Sequence, residues 1–153
     1  IDLLSQGSRV VRNFDNSKLV VMAASSSINQ NFPTNFNYNK DLKAGGVENF
    51  IDIYNIHYYG TRFESVVSSG GIADFLNGIS NPIWLTESGE QGPNEQLPYV
   101  ETVWPFLIDE VSGIARTYYY QYAETGPIEQ NYGLRTTDAT FPVSDLYIYL
   151  RDN

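Results

Sequence analysis

The 153 residues suffice for one domain with a sizeable core, and a composition of 42% hydrophobic and 18% charged residues describes a soluble globular chain with no run able to span a bilayer. Eighteen acidic against nine basic residues give a formal charge of -9, which repels a phosphate backbone or an anionic membrane surface, so neither nucleic acid nor membrane is expected as a partner. The absence of cysteine excludes disulfides, thiol nucleophiles and iron–sulfur ligation, and with a single histidine no metal or other cofactor is expected.

Leu3, Leu4, Val10 and Val11, separated by polar residues, predict an amphipathic helix that ends in the turn-forming run 13–17. Residues 18–24 are largely apolar and predict a first strand, of the kind covered on both faces. Residues 25–39 carry no apolar period and predict a loop long enough to suspect a function. A short helix is expected over 41–49, interrupted by Gly45-Gly46, and a second strand over 50–57. Helical spacing returns over 63–79, weakened or broken at Gly70-Gly71. Residues 82–87 predict a third strand, 88–96 a loop, and 97–111 a helix with a kink or early end at Pro105. A fourth strand over 114–122, a polar loop to about 140 and a last helix over 142–150 complete the chain. Strands alternating with helices, without a hairpin signal, are the pattern of consecutive βα units on a parallel sheet, in one domain over 1–153.

In such folds chemistry gathers where strands end. Alternation puts Asn55, His57 and Tyr59 on one face of the second strand, and Ile83, Leu85 and Glu87 on one face of the third. A carboxylate directly after an apolar strand is costly to bury unless it is used or paired, which makes Glu87 the principal candidate. Taken alone, His57 and Tyr59 read more simply as hydrogen-bonded core residues. Residues 118–120, all tyrosine, read as core, although tyrosines at a groove rim stack on sugars. Glu95, Glu101, Asp109 and Glu110 read as a solvated face. The sequence holds no phosphate-binding glycine loop, dinucleotide fingerprint, zinc-protease motif or esterase elbow. Three lysines only, Lys18, Lys40 and Lys43, amid many Asn, Ser and Tyr residues, suggest a secreted carbohydrate-active protein, extracellular or periplasmic.

The order Asp52-Ile-Tyr-Asn-Ile-His57-Tyr-Tyr59, then Pro82-Ile-Trp-Leu-Thr-Glu87-Ser-Gly89, resembles the sixth and seventh strands of the clan of retaining glycoside hydrolases built on TIM barrels. Residues 118–126, Tyr132-Gly133-Leu134 and the helix after Pro142 look like the eighth strand and closing helix of its β-xylosidase-like family thirty-nine and exopolysaccharide-hydrolase relatives. The resemblance covers nearly the whole chain. It implies a (β/α)8 TIM barrel of which this chain supplies roughly the last four βα units, acting on a β-linked oligo- or polysaccharide. It further implies Glu87 as nucleophile, Tyr59 as the hydroxyl that orients it, and His57 and Tyr122 as groups of the sugar subsite; Asn55 and Gln121, at the ends of the second and fourth strands, are expected to bind sugar hydroxyls beside them.

Tyr122 stands where the family usually has a stacking tryptophan, and Phe141 where a lysine is common. The clan's acid/base, a glutamate in an Asn-Glu pair after the fourth strand, has no match: Asn94-Glu95 follows the third visible strand, and Glu48-Asn49 has the reverse order. The chain is therefore expected to start after that strand and to be completed by a missing N-terminal half barrel or a second copy. Two other readings stay open at this point. One is a non-catalytic carbohydrate-binding or structural protein with a degenerate barrel. The other is an α/β module in which Glu87 is a structural ion-pair partner of an arginine such as Arg116.

Overall fold

Three parallel strands and the helices between them organise the computed structural model, which describes residues 1–124, 131–136 and 143–153. The elements are α1 (Asp2–Phe14), α2 (Pro33–Ala44), a 3-10 turn (Val47–Asn49), β1 (Tyr54–Tyr59), α3 (Glu64–Val67), α4 (Ile72–Asn77), β2 (Ile83–Gly89), α5 (Gln96–Glu110), β3 (Ile114–Thr117), β4 (Ala123–Glu124), β5 (Arg135–Thr136) and α6 (Asp145–Asp152). The main sheet has the order β1-β2-β3, and β4 pairs with β5 in a small second sheet.

Tyr54, Ile56 and Tyr58 of β1 and Ile83 and Leu85 of β2 are buried in one core with Val66, Leu76, Val103 and Leu107 from the helices. The alternation read from β1 thus sends its apolar residues to the helices and leaves Asn55, His57 and Tyr59 on the opposite face. Helix α5 continues through Pro105 to Glu110. Tyr99, Val103 and Leu107 bury its inner face, and their burial outweighs the one backbone bond that a proline removes. The break expected at Gly70-Gly71 separates α3 from α4: Gly70 has a positive φ of 70°, and a Cβ on Gly71 would meet the Ser65 carbonyl oxygen at 2.4 Å.

The expected last four βα units of a (β/α)8 TIM barrel are not what this chain forms. Its fold is a small α/β domain with a short three-stranded sheet and six α-helices among the described residues. Residues 18–24 contribute one parallel bridge, Val21 with Ile53, in place of a full strand. The reason is local: the Val20 N–H is taken by the Asp52 carboxylate at 2.7 Å instead of by a ladder carbonyl. Ser25–27 then lead the chain into the cleft described below. At the other edge β3 ends at Thr117, short of residue 122, and Gly89 lets the chain continue close by. A Cβ on Gly89 would lie 2.5 Å from the Tyr120 carbonyl oxygen.

Part of the predicted 25–39 loop is helical, because Pro33 occupies the first turn of α2, where its missing N–H costs nothing. The last helix starts at Asp145, with the Ser144 hydroxyl oxygen accepting from the Leu146 and Tyr147 N–H groups. Gly126, Phe141 and Pro142 lie outside the described residues.

Candidate active site

A bulge in β2 builds the site. Ile56 pairs with Leu85, but the next residue of β1, His57, pairs with Glu87, so Thr86 is an extra residue in the β2 ladder. Two consecutive side chains, Thr86 and Glu87, therefore point to the face of Asn55, His57 and Tyr59, and alternation resumes one step out of phase. Beyond the bulge Ser88 faces the helices, where its hydroxyl oxygen accepts from Trp104 Nε1 at 2.9 Å. The expectation that Glu87 shares a face with Ile83 and Leu85 is thus overturned. An unbroken ladder would have turned the carboxylate into the apolar core, at a cost of several kcal/mol.

Glu87 sits in a directional network. The Tyr59 hydroxyl donates to Glu87 Oε2 at 2.9 Å, and His57 Nδ1 lies 3.3 Å from the same oxygen. On its far side His57 Nε2 meets Thr86 Oγ1 at 3.1 Å, and Thr86 Oγ1 donates to Asn55 Oδ1 at 2.7 Å. Glu87 Oε1 has no hydrogen-bond partner among the described residues, and the side chain is 37% exposed. One oxygen is held, and the side chain lines a cleft.

Burial pushes the Tyr59 phenol far above its ordinary value, and the hydrogen bond to Glu87 and the charge of Glu87 add to it. The hydroxyl therefore stays protonated and remains a donor. Burial holds the His57 imidazole below its ordinary value, with the charge of Glu87 pulling the other way.

Above Glu87 opens a cleft of about 510 Å³. Its wall includes Tyr59, Tyr120 and Tyr132, whose rings meet edge to face with centroids 5.5 to 6.4 Å apart. Asn29, Asn31 and Gln91 supply amides, and Glu90 supplies a second carboxylate. Asn29 is fixed from behind, its Nδ2 donating to the Tyr59 carbonyl. Burial, and then the charge of Glu90, raise the Tyr132 phenol above its ordinary value.

Of the residues singled out from sequence, Glu87, Tyr59 and His57 come together, and Asn55 joins them through Thr86. Asn55 is buried behind the cleft and does not line it. Gln121 and Tyr122 are not brought to the site. Gln121 lies against Glu124, and Tyr122 is 63% exposed with its ring 6.5 Å from that of Tyr147. From this stretch of chain it is Tyr120, two residues earlier, that joins the wall. Nor does Glu87 pair with Arg116, whose guanidinium lies over the Trp84 ring at 5.0 Å.

Sequence reasoning missed Thr86, Glu90, Gln91 and Tyr132. For Glu90 and Gln91 a signal existed, since both follow the strand that carries Glu87. For the 25–39 segment the suspicion of function had a physical basis, and its first half supplies Ser26, Ser27, Asn29, Asn31 and Phe32 to the wall.

Among the described residues no group of three metal-ligating side chains occurs, and no helix is long and apolar enough to cross a membrane. Comparison with protein-family models, with curated proteins and with solved structures finds no match for this chain.

Proposed function

We propose that the protein is a glycoside hydrolase acting on a β-linked oligo- or polysaccharide, with Glu87 as the group that attacks the anomeric carbon. The observation that carries this reading is the Glu87 carboxylate on the cleft wall, with Oε2 held by the Tyr59 hydroxyl and Oε1 without a hydrogen-bond partner among the described residues. Such a group is oriented for attack by the hydrogen bond that holds it. The cleft suits a sugar: tyrosine rings present apolar faces, and the amides of Asn31 and Gln91 match hydroxyl groups. The motif resemblance around His57, Tyr59 and Glu87 supports the same class, and the composition supports a secreted setting. Retaining hydrolysis also needs a second carboxyl group about 5 Å from the first. Glu90 is the other carboxylate on the cleft wall, and Glu90→Gln tests it in that role.

The test is turnover of a panel of aryl β-glycosides and β-linked polysaccharides by the wild-type protein and by Glu87→Gln. Hydrolysis that disappears in the variant supports the reading. Hydrolysis that survives it overturns the assignment of Glu87.

A second reading, a carbohydrate-binding protein without hydrolysis, is favoured by the neutral amides and tyrosines that make up most of the polar wall. Glycan binding that persists in Glu87→Gln, with no turnover in either protein, selects it.

A further inference from the structure

The direction of the hydrogen bonds at Thr86 fixes where the proton of His57 sits. Asn55 Oδ1 carries no hydrogen, so the 2.7 Å contact uses the hydroxyl proton of Thr86. Thr86 Oγ1 then has only lone pairs left, and its 3.1 Å contact with His57 Nε2 requires the proton on that nitrogen. A neutral His57 therefore turns a bare Nδ1 toward Glu87 Oε2, 3.3 Å away, an oxygen already bonded by the Tyr59 hydroxyl.

We propose that Thr86 is a positioning residue that, through Asn55, locks His57 in its Nε2–H tautomer, so that neutral His57 gives Glu87 no hydrogen bond and only the imidazolium does. The bulge is what makes this arrangement available, because it inserts the Thr86 hydroxyl between Asn55 and the imidazole. The consequence for turnover rests on the reading of Glu87 as the attacking group. With His57 neutral, Tyr59 is the only donor on the carboxylate among the described residues, and its charge is available for attack. When His57 takes a proton from solvent at Nδ1, the imidazolium donates to Oε2 and draws that charge away. The charged or titratable groups that face His57 are Glu87 on β2 and Tyr59 on β1, with Tyr120 and Tyr132 behind Tyr59. Thr86 and Asn55 are neutral.

His57 is the single histidine of the chain, so its ring nitrogens are assigned without ambiguity in long-range proton–nitrogen spectra of the 15N-labelled protein. Spectra recorded from about pH 5 to 8 follow its charge change. The expected result at the upper end is a protonated Nε2 and a bare Nδ1. In Thr86→Val the lock is lost and the Nδ1–H form, bonded to Glu87, takes over; Thr86→Ser restores the native tautomer. Asn55→Asp, whose side chain also accepts without a proton to give, keeps the native tautomer and serves if Thr86→Val fails to fold.

A native Nδ1–H tautomer, which would mean that Asn55 turns its NH2 to Thr86, overturns the proposal, as does an unchanged tautomer in folded Thr86→Val. In turnover, Thr86→Val is expected to lose about tenfold in kcat, the scale of one hydrogen bond, with recovery in Thr86→Ser. A full rate in Thr86→Val with the altered tautomer removes the catalytic consequence. The native tautomer with no hydrolysis by any variant leaves the lock standing and removes the hydrolase reading instead.

Discussion

The cleft over Glu87, about 510 Å³, has a counterpart of nearly equal size, a groove of about 470 Å³ between α1, residues 20–23 and α2, walled by Leu4, Val11, Val20, Met22 and Leu42. In the cleft Tyr59, His57, Thr86 and Asn55 are tied to Glu87 or to one another by named hydrogen bonds and contacts, so the side chains that hold the carboxylate have defined partners. The groove offers apolar area without direction, and on the same helix Leu3 and Phe14 are 85% and 92% exposed. The contrast separates two outcomes of one sheet. Where β1 and β2 pair fully, a single inserted residue converts an apolar strand end into a polar site. Where residues 18–24 pair through one bridge, the neighbouring helix keeps apolar surface uncovered.

The largest effect expected from breaking the cleft side is on turnover. Glu87→Gln should lower kcat on the order of 10⁴-fold. Its thermal midpoint should stay within about 4 °C of wild type, because the amide oxygen still accepts from Tyr59. Steady-state kinetics and calorimetry on the same preparation check both halves, and a collapse of the midpoint would mean that the carboxylate is structural. Next comes the layer beneath. Leu85 is completely buried under the bulge, and Leu85→Ala should cost about 2–5 kcal/mol in urea denaturation. Tyr59→Phe follows: loss of one hydrogen bond to a charged group should reduce kcat roughly 10- to 100-fold with KM nearly unchanged. An equal rise in KM with unchanged kcat would show that Tyr59 binds the sugar and does not orient Glu87.

The regular parts of this architecture were legible because periodicity is a local property. Leu3, Leu4, Val10 and Val11 marked α1, the apolar alternation of β1 marked its two faces, and Val103 and Leu107 marked the buried side of α5. The barrel came from the motif resemblance, and it is the expectation that the fold overturns. Residues 18–24 are strand-like in composition, yet a ladder depends on partners elsewhere in the chain, and here the Asp52 side chain takes the place of one. The bulge was illegible for a related reason: Thr86 has the propensity of any strand residue, and only the register against β1 shows it to be extra. That single insertion moved Glu87 to the other face, so the alternation argument that placed it beside Ile83 and Leu85 fails at the last step. Tyr120 and Tyr122 reverse their expected places because β3 ends at Thr117 and alternation cannot be carried past it.

A smaller effect distinguishes the two regions through pH. The folded protein holds His57 below its ordinary value of 6.5, chiefly by burial. As pH falls, the unfolded chain takes up this proton first, so stability is complete above 6.5, declines below it, and stops declining once the folded His57 is protonated as well. Asp52, on the α1 side, is held below 3.8 by the Val20 N–H and then by Arg12. Its contribution is present above 3.8 and is lost as pH falls through the lower folded value. Urea denaturation across this range should show two separate losses, and His57→Gln should erase the upper one only. An upper loss unchanged in that variant would assign it to a different group.

The smallest expected effect is at Leu3→Ser on the face of α1. A residue 85% exposed has little apolar contact to lose, and the change should stay within about 0.5 kcal/mol, against the several expected for Leu85→Ala. The comparison is sharp because both substitutions truncate a leucine side chain, one on an exposed helix face and the other in the core. If Leu3→Ser costs as much as Leu85→Ala, α1 is covered in the protein as it exists in solution, and the groove beside it belongs to an interior. If it costs nothing, the apolar side of this fold is stable with its surface open, and the polar order around Glu87 owes nothing to it.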